Sequence, residues 1–295
     1  MTLREALSSG RFVVTAEAQP PKGTAVDEAL QQAEELRGRV DAFNVTDQQS
    51  SVMRLGSLAL CHLLVERGLE PIYQVTCRDR NRIALQSDLL SAAALGIENV
   101  LCLTGDHVSL GDHPQAKPVF DLDAVTLLVA ARELTQGHDL TGHELAGTPR
   151  FFLGAVVSPS AEPVEPQLFK MEKKVRAGAG FFQTQAVFEA ERFAAFMETA
   201  RGFGVPVIAG VILLKSAKMA RFMNQNIPGI RVPDDLIKQM EGSKDKEGTS
   251  AEIAARLVRD LRGLAAGVHV MAMGWEHLIP RVLESSGLPA PAEAA

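Results

Sequence analysis

Two rhythms of apolar residues alternate along this chain. Short β-prone runs at 12–16, 42–45, 71–75, 99–103, 151–157, 181–184, 206–212 and 268–271 are separated by stretches whose apolar positions recur at helical spacing. Those stretches predict helices over 26–37, 55–66, 80–95, 123–136, 167–177, 189–203 and 217–226. Two more follow over 233–240 and 250–264, with a closing segment at 275–286. Gly96 stands where one helix should end, free to take a left-handed conformation. Asp123 stands where the next should begin, with a side chain able to accept from the first amides. Residues 137–149 read as a polar excursion.

Eight β/α alternations in 295 residues are the count of a (β/α)8 TIM barrel with short extra helices, so residues 1–295 are expected to form a single domain. A doubly wound open sheet is the competing arrangement. It generally carries a GxGxxG first turn, and the first turn here reads EAQPPKG.

Composition narrows the class. With 46% hydrophobic residues the chain can build one large core without covalent staples. Cys61, Cys77 and Cys102 form no CxxC pair, which points to a reducing compartment and to no zinc or iron–sulfur cluster held by this chain alone. The start, MTLREALSSGRFVV, has charges among its apolar residues, so neither a signal peptide nor a membrane span is expected and the expected location is cytoplasmic. A net charge of −6 with dispersed lysines and arginines gives no reason to expect a nucleic-acid partner.

In a barrel of this kind chemistry gathers where the strands end. The predicted strands end in Glu17, in Thr46 and Asp47, in Gln74 and Thr76, in Asp106, in Ser158, and in Thr184 and Gln185. The segment VLCLTGDH is the most abrupt case, an apolar run that delivers the Asp106 carboxylate to an open edge. Any one of these residues can be read as an ordinary strand terminus or helix cap. Glu17 and Asp106 stand apart, because neither directly precedes a helix and each adjoins a backbone-opening element, Pro20-Pro21 or Gly105. A carboxyl enclosed by apolar surface stays protonated near neutral pH and serves as a general acid, while a second carboxylate stays ionised. The same pair also suits a glycosidase or a metal site. His107, His113, His138 and His143 lack metal-ligand spacing and read as solvated loop residues. Lys170 and Lys174 are four apart and share a helix face that suits a phosphate, whereas Lys173 reads as solvated.

Taken in order, VVTAEAQPPKG, FNVTD, YQVTCRDRNR, VLCLTGDH, KMEKKVRAGAGFFQTQ and GVILLKSAKMARFMNQNIPG resemble the methylenetetrahydrofolate reductase family over nearly the whole chain. The resemblance implies a flavin-dependent barrel of one-carbon metabolism that reduces 5,10-methylenetetrahydrofolate to 5-methyltetrahydrofolate, by hydride transfer from reduced flavin. It implies that Glu17 is the general acid, that Asp106 sets the charge around flavin and folate, and that Gln185 pairs with the pterin edge. Thr46, Gln74, Thr104, Gly105, Asp106, Phe120, Ser158, Lys170 and Lys174 would contact the cofactor, Lys174 at its pyrophosphate.

Departures from the family pattern bear on cofactor and donor. Gln74 stands where well-known bacterial members have His, and Thr104 where they have Arg. Strand five, GAVVSPSAEP, lacks the residues that help hold FAD in those members, which leaves FMN as the alternative to FAD. ILLKSAKMARF lacks the Phe that stacks on a nicotinamide. The donor is therefore either NADH or NADPH, or a partner protein. In the second case the chain would be the flavin-bearing subunit of an electron-transfer complex with an iron–sulfur partner. Association with further copies of itself is a further expectation.

Overall fold

Eight parallel strands close into a barrel in chain order: β1 (Val13–Ala18), β2 (Ala42–Val45), β3 (Pro71–Thr76), β4 (Asn99–Leu103), β5 (Phe152–Val157), β6 (Phe181–Ala186), β7 (Val207–Ile212) and β8 (Gly267–Met271). The computed structural model describes residues 1–288. Closure comes from β1, which pairs with β2 in the register Glu17↔Asn44 and with β8 in the register Thr15↔His269, leaving no exposed sheet edge. This is the (β/α)8 TIM barrel that the alternation predicts.

Parallel neighbours need long crossovers, and helices supply them. They are α2 (Asp27–Glu35), α3 (Ser57–Glu66), α4 (Arg82–Ala94), α5 (Ala124–Thr135), α6 (Glu165–Arg176) and α7 (Ala190–Ala200). Three helices, α8 (Ala217–Asn226), α9 (Asp234–Gly242) and α10 (Lys246–Leu261), join β7 to β8, and α11 (Ile279–Ser285) follows β8. Gly96, at a φ of 80°, lies just past the end of α4. Asp123 caps α5, accepting from the Thr126 amide at 2.8 Å. Fully buried leucines on these helices, among them Leu60, Leu64, Leu85, Leu89 and Leu127, pack on the outside of the sheet. Each contributes roughly 1.5–3 kcal/mol of burial.

Most helix bounds shift by one to three residues from the sequence expectation, and two helices depart further. α10 begins at Lys246, ahead of the expected 250, because Asp245 caps it through the Gly248 amide at 2.9 Å. A side chain at Gly248 would collide with that same carboxylate, so this glycine sits inside the helix to make the cap. The other is α1 (Leu3–Ser8), too short to carry a readable periodicity. Thr2 and Glu5 form a capping box, and Leu3, Ala6 and Leu7 plug the amino-terminal end of the barrel against Val13, Ala42, Ile72, Leu101, Phe181 and Ile208. Toward the carboxyl ends the interior turns polar, with Thr15, Asn44, Gln183 and His269 buried.

Candidate active site

The residues that follow the strands converge on a cavity of about 370 Å³ at the carboxyl mouth, a size that suits an organic ligand. Leu101, Leu103, Val156, Val157 and Met271 give it an apolar lining, and Gln74, Thr76, Arg78, Thr104, Asp106, Ser158, Lys174, Gln183 and Gln185 give it polar groups. A hollow of about 480 Å³ at the other end of the barrel is less suited to chemistry. Most of its charged side chains are already engaged, Arg37 with Glu34, Asp41 with Arg11, and Glu70 with Asn99.

Ten of the residues singled out in the sequence line the mouth: Asp47, Gln74, Thr76, Thr104, Gly105, Asp106, Ser158, Lys174, Thr184 and Gln185. Glu17, Thr46, Phe120 and Lys170 stand outside its wall. Glu17 is half-buried behind Gln49, whose amide lies 3.5 Å from the carboxyl and which itself lines the cavity. Thr46 is buried next to Asp47, and its hydroxyl has no partner. Phe120 lies in the loop after β4, at a φ of 42°, with its ring stacked on His107 at 6.2 Å. Lys170 is exposed one turn before Lys174 on α6.

The backbone explains why these side chains point where they do. Gly105 takes a φ of 91°, and a Cβ there would come within 2.9 Å of the Thr76 side chain, so the turn that presents Asp106 requires glycine. Near Gln185, β6 slips against β7: pairing runs Gln183↔Ile208 and resumes at Ala186↔Gly210. Thr184 holds this bulge, accepting from the Gly210 amide at 2.9 Å and donating to the Gln185 carbonyl at 2.7 Å. Gln185 Oε1 accepts from the Ala186 amide at 3.1 Å, which leaves the side-chain NH2 for the cavity. The loops after β2 and β4 are strained and locked together. Gln48, Ser50 and Ser51 all have positive φ, and Gly111 lies so close to the Ser51 carbonyl that no side chain would fit.

Electrostatics separate the ionisable groups. Burial, reinforced by Glu276, pushes the Glu17 carboxyl up to about 7, so about half of it keeps its proton at neutrality and nearly all of it below about pH 6. Burial, together with the charge of Lys170, brings Lys174 down to about 8, and its ammonium donates to the Val156 carbonyl at 2.6 Å. Inside the barrel, burial lowers His269 to about 3 and keeps the ring neutral.

Arg78, Arg80 and His269 received no role from the sequence, and Asp47 only a place among the strand ends. Arg78, fully buried in the cavity wall, pairs with Asp79 at 2.8 Å and reaches the Asp106 carbonyl at 3.4 Å. Asp47 accepts from the amide and hydroxyl of Thr76 at 2.8 and 2.9 Å and pairs with Arg80, bracing the ends of β2 and β3. Both arginines lie in the segment TCRDRNR, where two basic residues directly after a strand were the available signal. His269 had a signal as well: a polar residue between two valines in a strand of a closed barrel faces inward.

Fold and site thus define a (β/α)8 barrel protein with an organic-ligand cavity at its carboxyl mouth. The profile of the methylenetetrahydrofolate reductase family matches residues 2–287, and the chain belongs to that family. A Caenorhabditis elegans protein named probable methylenetetrahydrofolate reductase (NADPH) is 29% identical over 231 residues, covering 75% of this chain and 33% of the relative. The 5,10-methylenetetrahydrofolate reductase of Pectobacterium carotovorum is 25% identical over 269 residues, covering 88% of this chain and 85% of the relative. The chain therefore spans about a third of the length of the worm protein and most of the bacterial one. Among solved structures, an uncharacterized Clostridium thermocellum protein described as binding two copies of 5-methyl-5,6,7,8-tetrahydrofolic acid superposes with a TM-score of 0.62. It is 15% identical, with 97% of this chain and 96% of the other covered, a likeness of fold.

Proposed function

We propose that this protein reduces 5,10-methylenetetrahydrofolate to 5-methyltetrahydrofolate, using a flavin held at the carboxyl mouth of the barrel. The observation that carries this reading is Glu17, a carboxyl raised to about 7 in a Glu-x-x-Pro-Pro segment behind a ligand-sized cavity. Family membership and the names of the relatives support it.

The donor set of the mouth fits a flavin. Leu101, Leu103 and Val156 suit the faces of a flat ring system, and Gln74, Thr104 and Gln185 suit its carbonyl and imide edges. Lys174 has no carboxylate paired with it among the described residues and suits a phosphate. The partnerless hydroxyl of Thr46 is a further polar group at the same end of the barrel. A flavin bound there would supply hydride transfer, a chemistry that the amide, hydroxyl, carboxyl and amino groups lining the mouth do not perform.

The chain's own residues do the rest. Glu17, which stands just behind Gln49 of the cavity wall, would deliver its proton to a ring nitrogen of a folate that reaches past Gln49, opening the five-membered ring and leaving a cationic carbon–nitrogen double bond ready to be reduced. Asp106, exposed at the rim, adds a carboxylate that favours this cation over the neutral substrate. Gln185 offers its NH2 to the pterin edge. Lys174 and Arg78 both bring positive charge to the mouth, that of Arg78 already paired with Asp79.

The test is direct. The purified protein should be yellow, release FAD or FMN on denaturation, and reoxidise its bound flavin when given methylenetetrahydrofolate. A colourless protein that takes up neither flavin overturns the reading. Parallel assays with NADH, NADPH and a reduced dye identify the donor, and turnover with the dye alone assigns that role to a partner subunit.

A further inference from the structure

Between the apolar plug and the mouth, the barrel interior holds a short chain of hydrogen-bonding groups. His269 of β8 is fully buried, with Nδ1 3.0 Å from Thr15 Oγ1 and 3.2 Å from Asn44 Nδ2. Asn44, also fully buried, accepts at Oδ1 from Gln74 Nε2 at 3.4 Å. Of the four, only Gln74 reaches the cavity.

These contacts run in one direction. An amide NH2 only donates, so the ring nitrogen facing it is an acceptor and the imidazole proton sits on Nε2, which is buried with no partner among the described residues. With its NH2 committed to His269, Asn44 has its carbonyl left for Gln74, and it takes the NH2 of that residue. The Gln74 carbonyl is what remains for the cavity. Turning the Gln74 amide over would set two carbonyl oxygens against each other inside the barrel, where unpaired acceptors are costly. Burial holds the ring neutral, so Nδ1 stays an acceptor at working pH.

We propose that His269, acting through Asn44, is a positioning residue for Gln74: it fixes the Gln74 carbonyl toward the cavity, so that the site selects a heterocycle presenting a ring N–H of imide or lactam type. The proposal deepens the reading of the mouth as a flavin and folate site and rests on it. Both heterocycles carry a ring N–H beside a carbonyl. A glutamine without this support offers either face of its amide and selects neither.

The test compares dissociation constants for FAD and N3-methyl-FAD, by quenching of flavin fluorescence, and for 5-methyltetrahydrofolate and its N3-methyl analogue, by calorimetry. In the wild type, methylation should weaken one of the two heterocycles by about 10-fold, the effect of losing one neutral hydrogen bond. That heterocycle is the one facing Gln74. His269→Phe should abolish the preference, and His269→Asn, which puts a carbonyl where Nδ1 was, should retain it. Gln74→Met should abolish it too, and the double variant should be no worse than either single one. Thermal unfolding of each variant separates a lost preference from a lost fold. The proposal is overturned if His269→Phe keeps the preference, if the two effects add, or if methylation affects neither heterocycle. If no flavin binds but the folate pair still shows the preference, the flavin reading fails and the positioning role stands.

Discussion

Glu17 has to be protonated to act as an acid, and its surroundings arrange this with little more than burial and the nearby Glu276. Glu17→Gln keeps the size and removes the proton donor. Reoxidation of bound flavin by methylenetetrahydrofolate should slow by about 10²–10⁴-fold, the usual contribution of a positioned general acid. Reduction of the flavin by its donor should be unchanged, and stopped-flow absorbance reads the two steps separately. The sign with pH follows from the raised carboxyl. The wild-type reoxidation rate should fall as pH rises through about 7, where Glu17 loses its proton, and the residual rate of the variant should not follow that titration.

Among the elements, the bulge in β6 depends most on a single neighbouring residue. Thr184 bonds to the Gly210 amide, and a Cβ on Gly210 would lie 2.7 Å from the Thr184 carbonyl. Gly210→Ala must therefore push β6 away from β7. The expected cost is about 1–3 kcal/mol in urea unfolding, the range for overpacking a closed site. Because the shift displaces Gln185, affinity for the folate should fall along with stability. Thr184→Ser keeps the hydroxyl that holds the bulge and serves as the control. An unchanged urea midpoint in Gly210→Ala would mean that the bulge does not depend on this contact.

Over the whole molecule, two titratable groups, the half-buried Glu17 and the fully buried His269, pull stability in opposite directions. Glu17, raised from 4.5 to about 7, binds a proton in the folded state that the unfolded chain has lost, so its contribution is full below 4.5 and is lost as pH rises through 7. His269, lowered from 6.5 to about 3, does the reverse: its contribution is full above 6.5 and is lost as pH falls through 3. Each slope approaches ~1.4 kcal/mol per pH unit, and between pH 4.5 and 6.5 they nearly cancel. Unfolding free energies over that window should therefore be flatter in the wild type than in either variant. Glu17→Gln should gain stability as pH rises, and His269→Phe should lose it. Parallel curves for all three proteins would refute the opposition.

Much of this architecture was legible in advance, since strands and helices announce themselves through local periodicity, and Gly96 and Asp123 punctuate helices by chemistry that needs no distant partner. The strand-end polar residues were legible for the same reason: in a parallel barrel every carboxyl end faces one mouth, so Gln74, Asp106 and Gln185 come to the same end, though the Gly105 turn and the β6 bulge set how two of them are presented. Tertiary structure alone decided the rest. The plug formed by α1 depends on an apolar hole that exists only once eight strands have closed, and Arg78 became part of the wall because the Asp106 turn folds over it. The His269 chain joins Thr15 and Asn44 to a residue 254 and 225 positions away, respectively. No local pattern encodes which amide such a buried ring will face, because hydrogen-bond direction inside a barrel is set by closure.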